Sequence, residues 1–300
     1  MQVDGFFQPK PLISYPLPPR LFWSKSRHFC VPLYFCAERD SGMDPAGPPS
    51  DRVILGMRVH ATSYADAVLR VKNWTLLRES RYVCEAPVNM VMESYDSAEY
   101  RHIINQADLV TPGGMPIVWV MRLLGIRNQP RVYGPNLMLH LCAYAAQNDL
   151  SIGLYGGSPS ALSGLASELK RRYASLKIGY AYSPPFRPLT PDEDRDVCRQ
   201  IEQSGVQILF VGLGHPKQER WMAQHRPGLP VVMMGVGAAF DFISGEKPWA
   251  PEWLQRMGLE WLYRLVTEPR RLWFRYLWHN PRFTCLVALQ LLRRLSLASS

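Results

Sequence analysis

Residues 207–221 read QILFVGLGHPKQERW. Ile208 to Val211 form an apolar run too short for a helix and closed by glycine, which predicts a strand buried on both faces. Gly212 and Gly214 end it. His215, Lys217, Gln218, Glu219 and Arg220 then crowd into the first turn of a predicted helix. A surface helix can begin with polar residues, but two glycines and this many long polar groups exceed what a turn requires. The stretch is read as a ligand site at the carboxyl end of a strand.

Working outward, the same alternation of buried strand and helix recurs. Arg52–Leu55 is a short apolar segment, and Ser63 caps a helix over Ser63–Leu77. A strand begins at Tyr82–Val83, and a helix covers Ser97–Gln106. Leu109–Val110 is a strand running into Thr111, Pro112, Gly113 and Gly114; a helix over Ile117–Leu124 stops at Gly125. Ser151–Tyr155 is a strand ending in Gly156 and Gly157, with a helix over Pro159–Tyr173. Ile178–Tyr182 is a strand, Pro191–Ser204 a helix capped by Thr190, and Val231–Val236 another buried strand. Apolar strands alternating with helices predict an α/β fold: a parallel sheet with helices on both faces. Ligands of such sheets sit at the carboxyl ends of the strands, where the glycine turns lie.

The two ends differ from this middle. Residues 1–50 are rich in proline and aromatics without period, and read as a disordered leader or as sequence upstream of a true start at Met43. The core is expected over 51–248. Residues 249–300 carry eight arginines, no lysine and an interleaved set of aromatics, and form a helical appendage that Pro269 and Pro281 are expected to break into three helices.

The 300 residues carry 34 Lys+Arg against 25 Asp+Glu, a net charge of +9, so anionic partners are favoured: nucleic acid, phosphorylated small molecules or an acidic membrane surface. With 47% hydrophobic residues the chain has material for a full core and is not intrinsically disordered. The apolar runs Phe29–Ala37 and Phe283–Leu292 are about half the ~20 residues that span a bilayer, so no integral membrane segment is predicted. The six cysteines, Cys30, Cys36, Cys84, Cys142, Cys198 and Cys285, have no zinc spacing and read as reduced thiols, most of them in the core.

Four further segments bear on chemistry. Gly156-Gly157 before Ser158-Pro159 suits either a plain turn or a phosphate site at a helix start. Gly235 to Asp241 ends a strand in small residues; Asp241 reads as a cap or a substrate ligand. Asp192-Glu193-Asp194 resembles an acid-x-acid metal site, but it lies in the first turn of a helix after Thr190-Pro191, where acidic residues complement the dipole; no metal is expected. In the tail, Arg271 and Arg275 share a helix face and Arg264 lies seven residues earlier; an arginine face beside aromatics suits a membrane surface or a diphosphate.

With these segments in place, the chain from about Val53 to Leu292 resembles the WecG/TagA/CpsF glycosyltransferases. The residues that carry the resemblance are Ala107 to Met115, Arg131-Val-Tyr-Gly134, Tyr155 to Gly157, Val211 to Trp221, Gly235 to Asp241, and Glu260 to Arg264 with Glu268 to Arg271. The resemblance implies a Rossmann-like core with a C-terminal helical appendage that meets the membrane. It implies an inverting, cofactor- and metal-independent transfer of an N-acetylmannosamine-type sugar from a UDP-sugar to a polyprenyl-diphosphate-linked saccharide, at the inner face of the plasma membrane. Homo-oligomerisation would fit the family, and nucleic acid is not an expected partner.

Carried onto this sequence, the resemblance sets Thr111, Gly113 and Gly114 beside the reacting sugar. Gly156, Gly157, Gly212 and Gly214 bring backbone to the nucleotide. Gln218 and Arg131 hold sugar or phosphate, with Lys217 beside them, and Arg264, Arg271 and Arg275 hold the diphosphate. Two positions depart from the family pattern. The aspartate proposed as the family's base is Gly113 here, and a Thr-x-Asn-like segment reads Glu85-Ala86-Pro87, with Asn89 two places on. Asp108, Asp241, Glu219 and Glu85 are the candidate replacement carboxylates. The rival reading is a catalytically impaired relative that keeps nucleotide-sugar or lipid affinity, in which Gly113→Asp is expected to raise activity.

Overall fold

The computed structural model describes residues 49–298. The leader, the alternative start at Met43, the run Phe29–Ala37, and Cys30 and Cys36 lie outside the described residues, as does the side chain of Arg275. In chain order the elements are β1 (Asp51–Ile54), β2 (Met57–His60), α1 (Tyr64–Leu76), β3 (Arg81–Glu85), α2 (Val88–Asp96), α3 (Ala98–Asn105) and β4 (Leu109–Thr111). There follow α4 (Met115–Leu123), α5 (Gly134–Gln147), β5 (Ser151–Gly156), α6 (Pro159–Arg172), β6 (Lys177–Tyr182), α7 (Pro191–Gln203), β7 (Ile208–Gly212) and α8 (Lys217–His225). The chain continues through β8 (Val232–Gly235), α9 (Ala239–Ser244), α10 (Glu252–Arg256), α11 (Glu260–Thr267) and α12 (Pro269–Ala298).

Strands β3 to β8 form one parallel sheet in the order β4-β3-β8-β7-β5-β6. Alternate side chains of each strand enter opposite layers, and both layers are buried, which is why the strands read as unbroken apolar runs. Cys84, Val110, Leu209, Val211 and Met233 join Met90, Ile104, Ile117 and Met222 on one face. Val83, Leu109, Ile208, Phe210, Val232 and Met234 join Val71, Leu141, Leu165 and Phe240 on the other. The chain runs from β3 outward to β4, then crosses through α5 to β5 on the far side of the sheet. That reversal opens a crevice at the strands' carboxyl ends.

Helix starts follow the predicted chemistry. Ser63 accepts from the Asp66 N–H and Ser158 from the Ala161 N–H. Thr190 and Glu193 form a reciprocal capping box, so the Asp192-Glu193-Asp194 run does begin a helix. Cys84 and Cys142 are buried and Cys198 partly so, whereas Cys285 is exposed.

Three parts of the fold differ from the sequence reading. Met57–His60 pairs with Asp51–Ile54 as a hairpin, through a turn in which Leu55 and Gly56 both have positive φ (50° and 89°), the geometry that twists with the flanking strands. Helices α2 and α5 were not anticipated; most of α5 is buried, so its apolar residues leave little helical period to read. Pro281 does not end a helix: α12 runs for 30 residues through it. A proline inside a helix costs about 3 kcal/mol, and here the docking of Phe283 and Val287 into the core offsets that loss. Arg282 adds an ion pair to Asp96 of α2 at 2.6 Å. The Gln290 side chain accepts from the Leu55 N–H at 2.9 Å and donates to the Val53 carbonyl at 2.8 Å, fastening α12 to β1. Among the described residues no helix is long and apolar enough to cross a membrane.

Candidate active site

A cleft of about 290 Å³ opens at the carboxyl ends of β3, β4, β7 and β8. The sheet side contributes Glu85, Gly113, Gly114, Gly214 and Gln218; the C-terminal helices contribute Glu260, Arg264 and Arg271. Asn89 and Arg131 also line it. The structure therefore brings together ten of the residues singled out in the sequence, Glu85, Asn89, Gly113, Gly114, Arg131, Gly214, Gln218, Glu219, Arg264 and Arg271, from segments far apart in the chain.

Glu85 ends β3 opposite Thr111 of β4. Its carboxyl fills the space that side chains at two glycines would need. A Cβ on Gly113 would lie 2.1 Å from Oε1 and 2.2 Å from Cγ, and one on Gly134 would lie 2.4 Å from Oε2. Desolvation dominates there and pushes the Glu85 carboxyl up to about 7, against the opposing pull of Arg131 and the Gly134 N–H.

Arg131 links the sheet to α11. Its Nε donates to the Gly113 carbonyl, and a terminal nitrogen donates to Glu260 at 2.7 Å. The guanidinium lies 4.1 Å from the Tyr133 ring centre, and the Tyr133 hydroxyl donates to the other Glu260 oxygen at 2.6 Å. Both Glu260 oxygens are thus taken. Arg264, one turn on, stacks over Phe242 at 5.3 Å. Its buried Nε has no hydrogen-bond partner among the described residues. A buried guanidinium N–H without an acceptor is a donor held ready for an anion.

The loop after β7 supplies a second charged group. His215 lies between Glu93 at 2.9 Å and Glu219 at 3.1 Å. Burial works against its charge, but hydrogen bonds to Glu219 and Glu93 outweigh it and push His215 up to about 9. The imidazole is therefore cationic at neutral pH. Gln218 accepts from the Gly237 N–H and donates to Glu219, so it ties the β7 and β8 loops together at the cleft floor.

Other predicted residues fall elsewhere. Gly156 and Gly212 are spacing residues: a Cβ on Gly156 would meet the Gly212 backbone at 2.5 Å, and one on Gly212 the Phe240 ring at 2.9 Å. Gly157 donates to the Gly212 carbonyl and faces the same ring. These three glycines do not line the cleft. Thr111 is buried and donates to the Val132 carbonyl. Lys217 is exposed outside the cleft. Asp241 pairs with Lys247. Asp194 is held by Trp221 and His225 and lies near Cys198, away from the cleft. Glu260 and Tyr133 stand in segments that carry the family resemblance but had no role in the sequence reading; with three glutamates in the arginine-rich tail, Glu252, Glu260 and Glu268, no signal singled out Glu260.

Asp108 precedes β4, at the amino-terminal edge of the sheet, across the molecule from the cleft. It accepts from Arg81 at 2.6 Å, Arg226 at 2.7 Å and the Tyr82 N–H at 3.0 Å. This is a structural knot and not a base. Asp108→Asn should lower thermal stability by about 1–3 kcal/mol, the range for bonds to charged groups. Turnover per folded molecule should stay unchanged; a selective loss of turnover would return Asp108 to the chemistry.

The profile described as the Glycosyl transferase WecG/TagA/CpsF family matches residues 52–297. A protein of Bacillus subtilis (strain 168), named N-acetylglucosaminyldiphosphoundecaprenol N-acetyl-beta-D-mannosaminyltransferase, is 33% identical to the chain over 181 residues, covering 60% of this chain and 68% of that one. A protein of the same name from Bacillus spizizenii (strain ATCC 23059 / NRRL B-14472 / W23) is 30% identical over 197 residues, covering 65% of this chain and 74% of its own.

Proposed function

The chain belongs to the WecG/TagA/CpsF glycosyltransferase family, and from that premise we propose that it moves an N-acetylmannosamine-type sugar from a UDP-sugar to a polyprenyl-diphosphate-linked acceptor, with inversion at the anomeric carbon. The observation that carries this reading is the cleft itself: a sheet edge bearing a carboxyl group, walled by arginines from the C-terminal helices. Inverting transfer is a single in-line displacement. It needs an acceptor for the hydroxyl proton and positive charge for the departing diphosphate. Arg264 has a buried, unpartnered N–H at the cleft, and Arg271 stands beside it. The charge of His215 is matched by Glu93 and Glu219, so the diphosphate is left to the arginines.

The lipid-linked acceptor fits the outer surface of the same helices. Trp253, Trp273, Phe274, Leu277 and Trp278 are exposed there, with Arg270 and Arg271 among them. Aromatic and apolar side chains beside arginines suit the headgroup region of an anionic bilayer. This supports a reading in which the enzyme works as a peripheral protein at the inner face of the plasma membrane, where nucleotide sugars and lipid carriers meet.

Purified protein given UDP-N-acetylmannosamine and an N-acetylglucosaminyl-diphosphate lipid should release UDP. Arg264→Ala should lower kcat/KM by about 10- to 150-fold, the equivalent of ~1.5–3 kcal/mol for one charge-assisted bond. No UDP release with any nucleotide sugar would reject the reading.

A further inference from the structure

We propose that Glu85 is the catalytic base of this transferase, taking the proton of the acceptor hydroxyl as that oxygen attacks the anomeric carbon. The proposal rests on the transfer reading above. Among the described residues three carboxylates line the cleft, and two of them are occupied. Glu260 has both oxygens bonded to Arg131 and Tyr133. Glu219 is fully buried and bonded to His215 and Gln218. Glu85 alone of the three forms no ion pair among the described residues, and it is partly exposed to the cleft.

The surroundings of Glu85 are shaped around its carboxyl group. Gly113 follows β4 and Gly134 opens α5, so they come from separate elements, and each leaves out the Cβ that would collide with this side chain. A single glycine in a turn has many explanations. Two unrelated glycines vacating space for the same carboxyl, at the edge of the cleft, point to the carboxyl as the group being accommodated. The enclosure also sets its acidity near neutrality, where a general base works best. Asp108 and Asp241, the other carboxylates considered from the sequence, are spent on ion pairs outside the cleft.

The step balances. The acceptor oxygen forms a bond to the anomeric carbon while the bond from that carbon to the diphosphate oxygen breaks. The hydroxyl proton passes to a Glu85 oxygen, and the electron pair leaves with UDP, whose charge Arg264 and Arg271 face. Glu85 then returns its proton to solvent.

The test compares wild type, Glu85→Gln and Glu85→Asp by the pH profile of kcat and by calorimetry with UDP. Glu85→Gln should lose about 10²- to 10⁴-fold in kcat, the usual worth of a positioned base, while UDP affinity is retained. In wild type kcat should rise with pH through about 7, because only the deprotonated carboxylate accepts a proton. That limb should vanish in Glu85→Gln and persist in Glu85→Asp. Turnover by Glu85→Gln close to wild type, or an unchanged acidic limb, overturns the assignment to Glu85 and leaves the transferase reading standing. A wild-type protein inactive with every donor overturns both.

Discussion

Gly113→Asp is expected to inactivate the enzyme and to destabilise it, although the resemblance puts an aspartate at this position and the rival reading of an impaired relative expects the restored aspartate to raise activity. The reason is spatial. A Cβ at residue 113 would lie 2.1 Å from Glu85 Oε1, 2.2 Å from Cγ and 2.5 Å from Cδ. No rotation of the terminal carboxyl alone clears the Cγ contact. Overpacking of this kind typically costs about 1–3 kcal/mol, and the new carboxylate adds repulsion against Glu85 at close range. A melting temperature lower by about 2–4 °C per kcal/mol is the stability readout. The informative variant is the pair. In Glu85→Ala/Gly113→Asp the blocking side chain is gone, so the double variant should be more stable than Gly113→Asp alone. Double-mutant-cycle coupling of about 0.5–3 kcal/mol is expected for residues in contact. Strict additivity of the two single changes would show that the sites do not share space.

Glu260→Ala should detach the arginine wall from the sheet. The Glu260 and Arg131 side chains are 9% and 17% exposed, and they meet at 2.7 Å. Deleting one member of a nearly buried pair leaves the other charge uncompensated, at a cost of about 3–5 kcal/mol. Here the loss is directional. Glu260 is the residue of α11 that is buried against the core, and it is also the acceptor for the Tyr133 hydroxyl. Without it, α11 loses its anchor and Arg264 its fixed position over Phe242. Limited proteolysis should then cut within α10 or α11 while the sheet stays protected, and kcat/KM should fall further than for Arg264→Ala. Glu260→Gln keeps two acceptor lone pairs and a hydrogen bond, and should lie between. A protease pattern and kcat/KM both equal to wild type would refute this account of how the C-terminal helices are held.

The strand–helix alternation was legible because it is local. Ile208–Val211 and Ser151–Tyr155 announce buried strands by run length and closing glycines, and Ser63, Ser158 and Thr190 announce helices by their caps. The tail arginines of the cleft were legible as a class, since eight arginines without a lysine among so many aromatics are unusual. What the chain does not announce is contact across register. Glu85, Gly113 and Gly134 meet only because β3 and β4 pair with Glu85 beside Thr111, and because α5 starts where it does. No short window contains that juxtaposition. The glycine pairs were misleading for a related reason. Gly156 and Gly212 look the same in sequence whether they make room for a ligand or for each other, and here they make room for each other and for Phe240. Pro281 misled because helix breaking is a local preference of a few kcal/mol, which the burial of Phe283 and Val287 overrides.

The amide of Gln290 meets β1 as the peptide group of another strand would, with one donor and one acceptor placed against Val53 and Leu55. An open ribbon edge is a template on which a second molecule can add itself. A chain shortened before Gln290 would therefore lose more than a packing helix: it would bare an adhesive margin. Such truncations should be recovered as aggregates, with solubility restored by a proline or lysine on the outer side of β1.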